Sequence, residues 1–215
     1  MTIKSTFIWT SVHTIIKILS GIIMNKIIAV YLGPAGLAMI GQFQNFVGIV
    51  SGVANASIQT GIVKYTAQYK NDTEYLNKLM KNSLIIILFL SFIVSLFLIL
   101  FANYLSVQIM FSDKYTNIIY FLAFSMVFYS LNLYILSILN GLGELKLFTG
   151  INILISIFSL LLVSILTILY KLDGALLAII LVQSFIFIFA YILVYRKFGN
   201  KFFDFKNIYR YNNPC

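Results

Sequence analysis

The sequence has 215 residues, of which 61% are hydrophobic and 10% charged, and its mean hydropathy is +0.98. A soluble domain carries about 45–50% apolar and about 25% charged residues, so that class is excluded; long apolar blocks point instead to a protein dissolved in a bilayer. The net charge of +9 would suggest nucleic acid in a soluble chain, but in a membrane protein it records which loops stay in the cytoplasm, and no nucleic-acid partner is expected. The single cysteine, Cys215, excludes an internal disulfide.

The expected fold is all-α and polytopic, with six transmembrane helices at about 6–31, 37–62, 83–107, 117–140, 149–170 and 174–195. Residues 27–63 are uncharged and broken only by the turn Leu32-Gly33-Pro34-Ala35-Gly36. Residues 82–112, 115–143, 147–170 and 174–195 are also free of charge, and about 20 apolar residues suffice for one span. Barrel strands need alternating polarity, which is absent. The first span is too long for a signal-peptide core and lacks a small-residue cleavage site, so no signal peptide is expected.

Along the first span Thr6, Thr10, His13, Lys17 and Ser20 recur at steps of four and three, a polar stripe on one helix face. Lys17 falls near mid-span, where a basic residue costs roughly 2.5–3.5 kcal/mol, so it either faces a wet cavity or snorkels and pairs structurally. Lys26 lies on the opposite side of the helix and can equally anchor at its outer end. His13, the lone histidine, is either a titrating group or one more polar member of the stripe.

The second span has its own stripe: Gln42, Asn45, Gly48, Gly52, Asn55 and Gln59. It reads either as the hydrogen-bonding wall of a substrate path or as close helix packing through glycine with amides as glue. The following loop, from Lys64, Tyr65 and Tyr69 to Glu74, is basic and aromatic, and suits contact with an anionic lipid head group or a solvated elbow. Asn132 and Asn152 in later spans are isolated amides assigned to packing. Tyr31–Ala38 faintly echoes Tyr170–Ala178, each a tight turn entering a helix. Residues 196–215 form a basic tail or inter-lobe linker interleaved with phenylalanine.

Loop charges set the orientation. Lys4, then Lys64, Lys70, Lys78 and Lys81, then Lys146, then Arg196, Lys197, Lys201, Lys206 and Arg210 lie on one side; only Lys114 and Lys171 lie on the other. This bias puts both termini in the cytoplasm. All six acids fall in loops or the tail, so no carboxylate lies inside a span. There is no Walker loop, no Cys/His metal spacing and no carboxylate pair beside a histidine, and no enzyme activity, cofactor or metal is expected. An interior with lysines and no acids suits an anionic cargo such as a diphosphate.

Trp9-Thr10, Lys17, Gly21 and Lys26, then Gly33-Pro34-Ala35-Gly36-Leu37, then Lys64-Tyr65 with Ala67-Gln68-Tyr69 resemble the amino-terminal part of the Wzx-type flippases. These are the O-antigen and enterobacterial-common-antigen translocases of the multidrug/oligosaccharidyl-lipid/polysaccharide exporter superfamily. The turn Gly174-Ala175-Leu176-Leu177 fits as well, and the resemblance spans about residues 1–200. It implies a bacterial inner-membrane transporter that moves an undecaprenyl-diphosphate-linked oligosaccharide between leaflets by alternating access. Lys17 and Lys26 then correspond to basic residues of the family's first helix, and the polysaccharide polymerase machinery is a further partner. Family members have two six-helix lobes. Six spans make one lobe, so the chain is expected to be an amino-terminal fragment, a truncated reading frame, or a half that pairs with a second lobe or copy. The rival readings are a multidrug-type exporter of the same superfamily and a non-transporting membrane fragment.

Overall fold

The computed structural model describes residues 3–55 and 58–198, so the basic tail beyond residue 198, with Lys201, Lys206 and Arg210, lies outside the described residues. The described chain is helical throughout: α1 (Ile3–Asn55), α2 (Ile58–Gln68), α3 (Thr73–Leu100), α4 (Ala102–Met110), a short 3-10 turn at Asp113–Tyr115, α5 (Thr116–Leu142) and α6 (Leu145–Phe198). Four of these stretches are long and apolar enough to cross a membrane. This is an all-α membrane protein.

At about 1.5 Å per residue, α1 and α6 would each extend roughly 80 Å if straight, far beyond a hydrocarbon core of about 30 Å. Neither is straight. In α1, Gly33 takes φ 69 and ψ −174, a conformation open essentially to glycine alone, and Pro34 begins the next helical turn where its missing N–H costs nothing. The bend is sharp: a Cβ on Gly36 would sit 2.3 Å from Leu32 Cβ, whereas positions four apart on a continuous helix keep about 5–6 Å. In α6, Lys171 has φ 54 and ψ −133. A Cβ on Gly174 would lie 2.1 Å from the carbonyl oxygen of Leu166, eight residues earlier, although eight residues of straight helix advance about 12 Å. The two turns that echo each other in sequence are thus the two places where a long helix is bent.

Other helix ends follow from local chemistry. Asp72 caps α3, its carboxylate accepting the Tyr75 N–H at 3.0 Å, with Glu74 in the first turn complementing the helix dipole. Gly143 ends α5 in the left-handed region (φ 78). Its N–H reaches Asn140 O, and the Glu144 N–H reaches Leu139 O, a Schellman pattern that swings the chain into α6. The apolar run expected at 83–107 is divided at Phe101, where α3 gives way to α4; in the run expected at 37–62, residues 56 and 57 lie outside the described residues.

The core falls into two clusters stacked along the helices. One holds Ile28, Ile40, Phe43, Leu98, Met110, Ile119 and Leu176; the other holds Ile62, Leu76, Met80, Leu139, Ile151 and Val194. Two buried contacts pin α3 to α5: Ser95 Oγ donates to Ala123 O at 2.6 Å, and Tyr134 Oη donates to Met80 O at 2.8 Å. The outer faces remain apolar and exposed, with Ile15, Ile22, Phe89, Phe92, Phe124 and Leu169 among them, as expected of surfaces solvated by acyl chains.

Candidate functional site

Three recesses run along the seam where the second half of α1, α2, α5 and α6 meet. The first, about 180 Å³, is lined by Gln44, Gly48, Ser125, Tyr129 and Gln183 among apolar neighbours. The second, about 370 Å³, is lined by Gly48, Ser51, Gly52, Asn55, Gln59, Thr60, Tyr129 and Leu133. The third, about 540 Å³, is bordered by Gln59, Thr60, Lys64, Ser137, Asn140, Phe148 and Asn152 together with Val63, Leu133 and Leu136. Neighbouring recesses share Gly48 and Tyr129, then Gln59, Thr60 and Leu133, so they adjoin in one seam in which amide and hydroxyl side chains are set among apolar ones.

Glycine makes room for this seam. A Cβ on Gly48 or Gly52 would meet no heavy atom within 4 Å, so the pair borders open space and not a tightly packed helix. Close packing occurs elsewhere: a Cβ on Gly141 would lie 2.6 Å from Thr66 Cβ and 2.9 Å from Val63 O, fixing α2 against α5. Asn55 is 2% exposed. Its Nδ2 donates to Ser51 O at 2.7 Å, while Oδ1 has no hydrogen-bond partner among the described residues. A buried acceptor left this way costs about 1–3 kcal/mol unless a ligand or water supplies a donor. Asn132, also buried, donates from Nδ2 to Gln183 Oε1 at 3.4 Å, tying α5 to α6 beside the first recess.

Of the residues singled out in the sequence, Asn55, Gln59 and Lys64 border the seam. Gln42 and Asn45 are exposed on α1 outside the three recesses. His13 is half-buried, and Lys17 and Lys26 are exposed, all on the first half of α1, which borders none of these recesses. Tyr65 is exposed and Tyr69 half-buried at the elbow between α2 and α3. There the Tyr69 and Tyr75 rings lie 3.9 Å apart, and Lys64 Nζ stands 5.7 Å from the centre of the Tyr65 ring. Asn152 borders the 540 Å³ recess, its Nδ2 bonded to Phe148 O at 2.8 Å. Gln44 and Gln183 on the first recess and Asn140 on the third carry no sequence signal, because a single amide acquires meaning only once neighbouring helices place it on a shared lining.

The polysaccharide biosynthesis protein family matches residues 3–212. The chain belongs to this family. It is 26% identical over 200 residues to the lipid III flippase of Escherichia coli (strain K12), covering 92% of this chain and 47% of that protein. The lipid III flippase of Shigella flexneri matches to the same extent. The chain spans about half the length of the curated relatives it matches, and no solved structure matches it. The likeness to Wzx-type flippases seen in the motifs therefore stands, and the family relatives are named as transporters, not enzymes.

Proposed function

We propose that this chain forms one six-helix lobe of a flippase that carries an undecaprenyl-diphosphate-linked oligosaccharide from the inner to the outer leaflet of the bacterial inner membrane, by alternating access against a second lobe. The observation that carries this reading is the row of adjoining recesses with amide and hydroxyl side chains on their linings, inside a bundle whose outer faces are apolar. Such a seam is costly in a bilayer unless a hydrophilic cargo uses it. The bends at Gly33 and Lys171 divide α1 and α6 into two spans each, which with α3–α4 and α5 makes six. Both termini are then cytoplasmic, because Lys64, Lys70, Lys78, Lys81, Lys146, Arg196 and Lys197 belong to the end opposite Lys114 and Lys171.

In this reading the amides of the seam hydrogen-bond sugar hydroxyls, and Lys17 attracts the diphosphate as it passes mid-membrane. His13, with Gln42 and Asn45, completes the hydrophilic surface that faces the second lobe, while Lys26, on the opposite side of the helix, anchors its outer end. Lys64, Tyr65 and Tyr69 meet the head-group region on the cytoplasmic side. The polysaccharide polymerase machinery receives the cargo outside. Among the described residues no carboxylate borders the three recesses, which favours an anionic cargo over the cationic compounds of a drug exporter.

Complementation tests the reading. In a host strain lacking this gene, the full-length gene should restore surface glycan. Lys17→Arg should restore it too, and Lys17→Ala should restore little. Wild-type glycan from Lys17→Ala would remove Lys17 from the mechanism, and failure of the unmodified gene would contradict the flippase reading itself.

A further inference from the structure

We propose that the 540 Å³ recess between α2, α5 and α6 is the loading subsite for a glycosyl phosphate, taking the first sugar of the cargo together with the phosphate that bears it. This rests on the flippase reading and assigns a role to a place in the fold.

Three helices each turn one face to the recess. On α2 these are Gln59, Thr60 and Lys64, on α5 Ser137 and Asn140, and on α6 Phe148 and Asn152 four residues apart. The chemistry is that of a sugar site with one charged corner. Amides offer paired donors and acceptors to ring hydroxyls, and the Phe148 ring with Leu133 and Leu136 offers an apolar surface to the C–H face of a pyranose. The volume falls within the range of about 300–1,000 Å³ typical of small-molecule sites. Among the described residues Lys64 is the only charged group on the lining, and no carboxylate on it competes with a phosphate.

Depth supports the assignment independently. Lys64 lies one turn before the end of α2, over the Tyr65 ring, which in turn stacks on Tyr69 and, through it, Tyr75. Tyrosines gather at the head-group level of a membrane, and a polyprenyl tail in the hydrocarbon holds its phosphates at that level. A phosphate on Lys64 therefore leaves the tail in lipid and points the sugar along the seam. There the adjoining 370 Å³ recess shares Gln59 and Thr60 and adds Ser51 and Asn55 to the lining met by the next sugar.

The test measures lipid binding to the full-length protein in nanodiscs, with undecaprenyl-diphosphate-linked N-acetylglucosamine, bare undecaprenyl diphosphate and phosphatidylglycerol as probes. The sugar-bearing lipid should bind about tenfold more tightly than the bare diphosphate. Asn140→Ala combined with Asn152→Leu should abolish that difference while leaving the bare diphosphate bound. Lys64→Gln should weaken both diphosphates about tenfold, with Lys64→Arg restoring them. Thermal unfolding and gel filtration identify variants that merely fail to fold, in which case Thr60→Val replaces them. The proposal is overturned if the sugar increment survives in the Asn140/Asn152 variant, or if phosphatidylglycerol competes as well as the diphosphates do. If the unmodified protein binds neither diphosphate, the flippase reading falls with it. An increment that persists in every variant removes this subsite alone.

Discussion

Lys114 Nζ lies 2.9 Å from Asp173 Oδ2, which fastens the turn after α4 to the bend at Lys171 in α6. At the other end of the bundle Lys197 pairs with Glu144, joining the end of α6 to the turn that begins it. The two pairs differ in shelter. Lys114 and Asp173 are 65% and 44% exposed, whereas Lys197 and Glu144 are 31% and 16% exposed, so the second pair is less screened by salt and is the firmer tie. Each end of the last helical pair is thus tied to its neighbours, while the first half of α1 keeps most of its surface uncovered.

The bends should separate backbone strain from steric collision. Gly33→Ala introduces no clash but forces a conformation essentially closed to alanine, and should destabilise by about 1–3 kcal/mol. Gly174→Ala drives a methyl onto a backbone oxygen that cannot swing away, and should cost at least as much. Lys171→Gly should stabilise by up to about 1 kcal/mol, because a non-glycine residue at φ 54 and ψ −133 is strained. Thermal unfolding in detergent measures all three. An unchanged or lower midpoint for Lys171→Gly would contradict the strain assigned there.

The seam should be blockable without harm to the fold. Gly48 and Gly52 border open space, so Gly52→Leu gains helix propensity and fills part of the 370 Å³ recess. Its unfolding temperature should hold or rise while surface glycan falls several-fold in the complementation strain. Asn55→Leu should behave the same way, since it removes a buried acceptor that has no partner among the described residues. Undiminished glycan with either variant would mean that cargo does not pass this recess.

Much of the fold could be read from the sequence, for identifiable reasons. Charge-free runs must be helices in a bilayer, and Gly33-Pro34 and the 170–174 turn were visible as breaks because glycine and proline act locally. The division of residues 83–107 at Phe101 was not visible, because an aromatic residue in an apolar run carries no breaking signal. The site was less legible. The spacing of Gly48 and Gly52 fits either close packing or an open wall, and only the neighbouring helices decide between them. The place of Asn152 on a recess lining is hidden for the same reason: the other lining residues, on α2 and α5, are distant in sequence.

Sidedness has a direct probe. With Cys215→Ser as background, Ser112→Cys should react with a membrane-impermeant thiol reagent on intact cells, and Asn71→Cys should react only after permeabilisation. These positions lie near the ends of α3–α4 that the loop lysines assign to opposite sides. Labelling of Asn71→Cys from outside, with Ser112→Cys protected, would invert the topology and with it the direction of loading at Lys64.

The central claim is movement of a lipid-linked sugar between leaflets. The most direct measurement places the full-length protein in liposomes loaded with undecaprenyl-diphosphate-linked N-acetylglucosamine and follows the head group with an impermeant sugar-modifying reagent added outside. The head groups of the inner leaflet should become reactive in vesicles containing the protein, with Gly52→Leu reducing the rate several-fold. Reactivity confined to the outer leaflet, as in protein-free vesicles, would contradict the account.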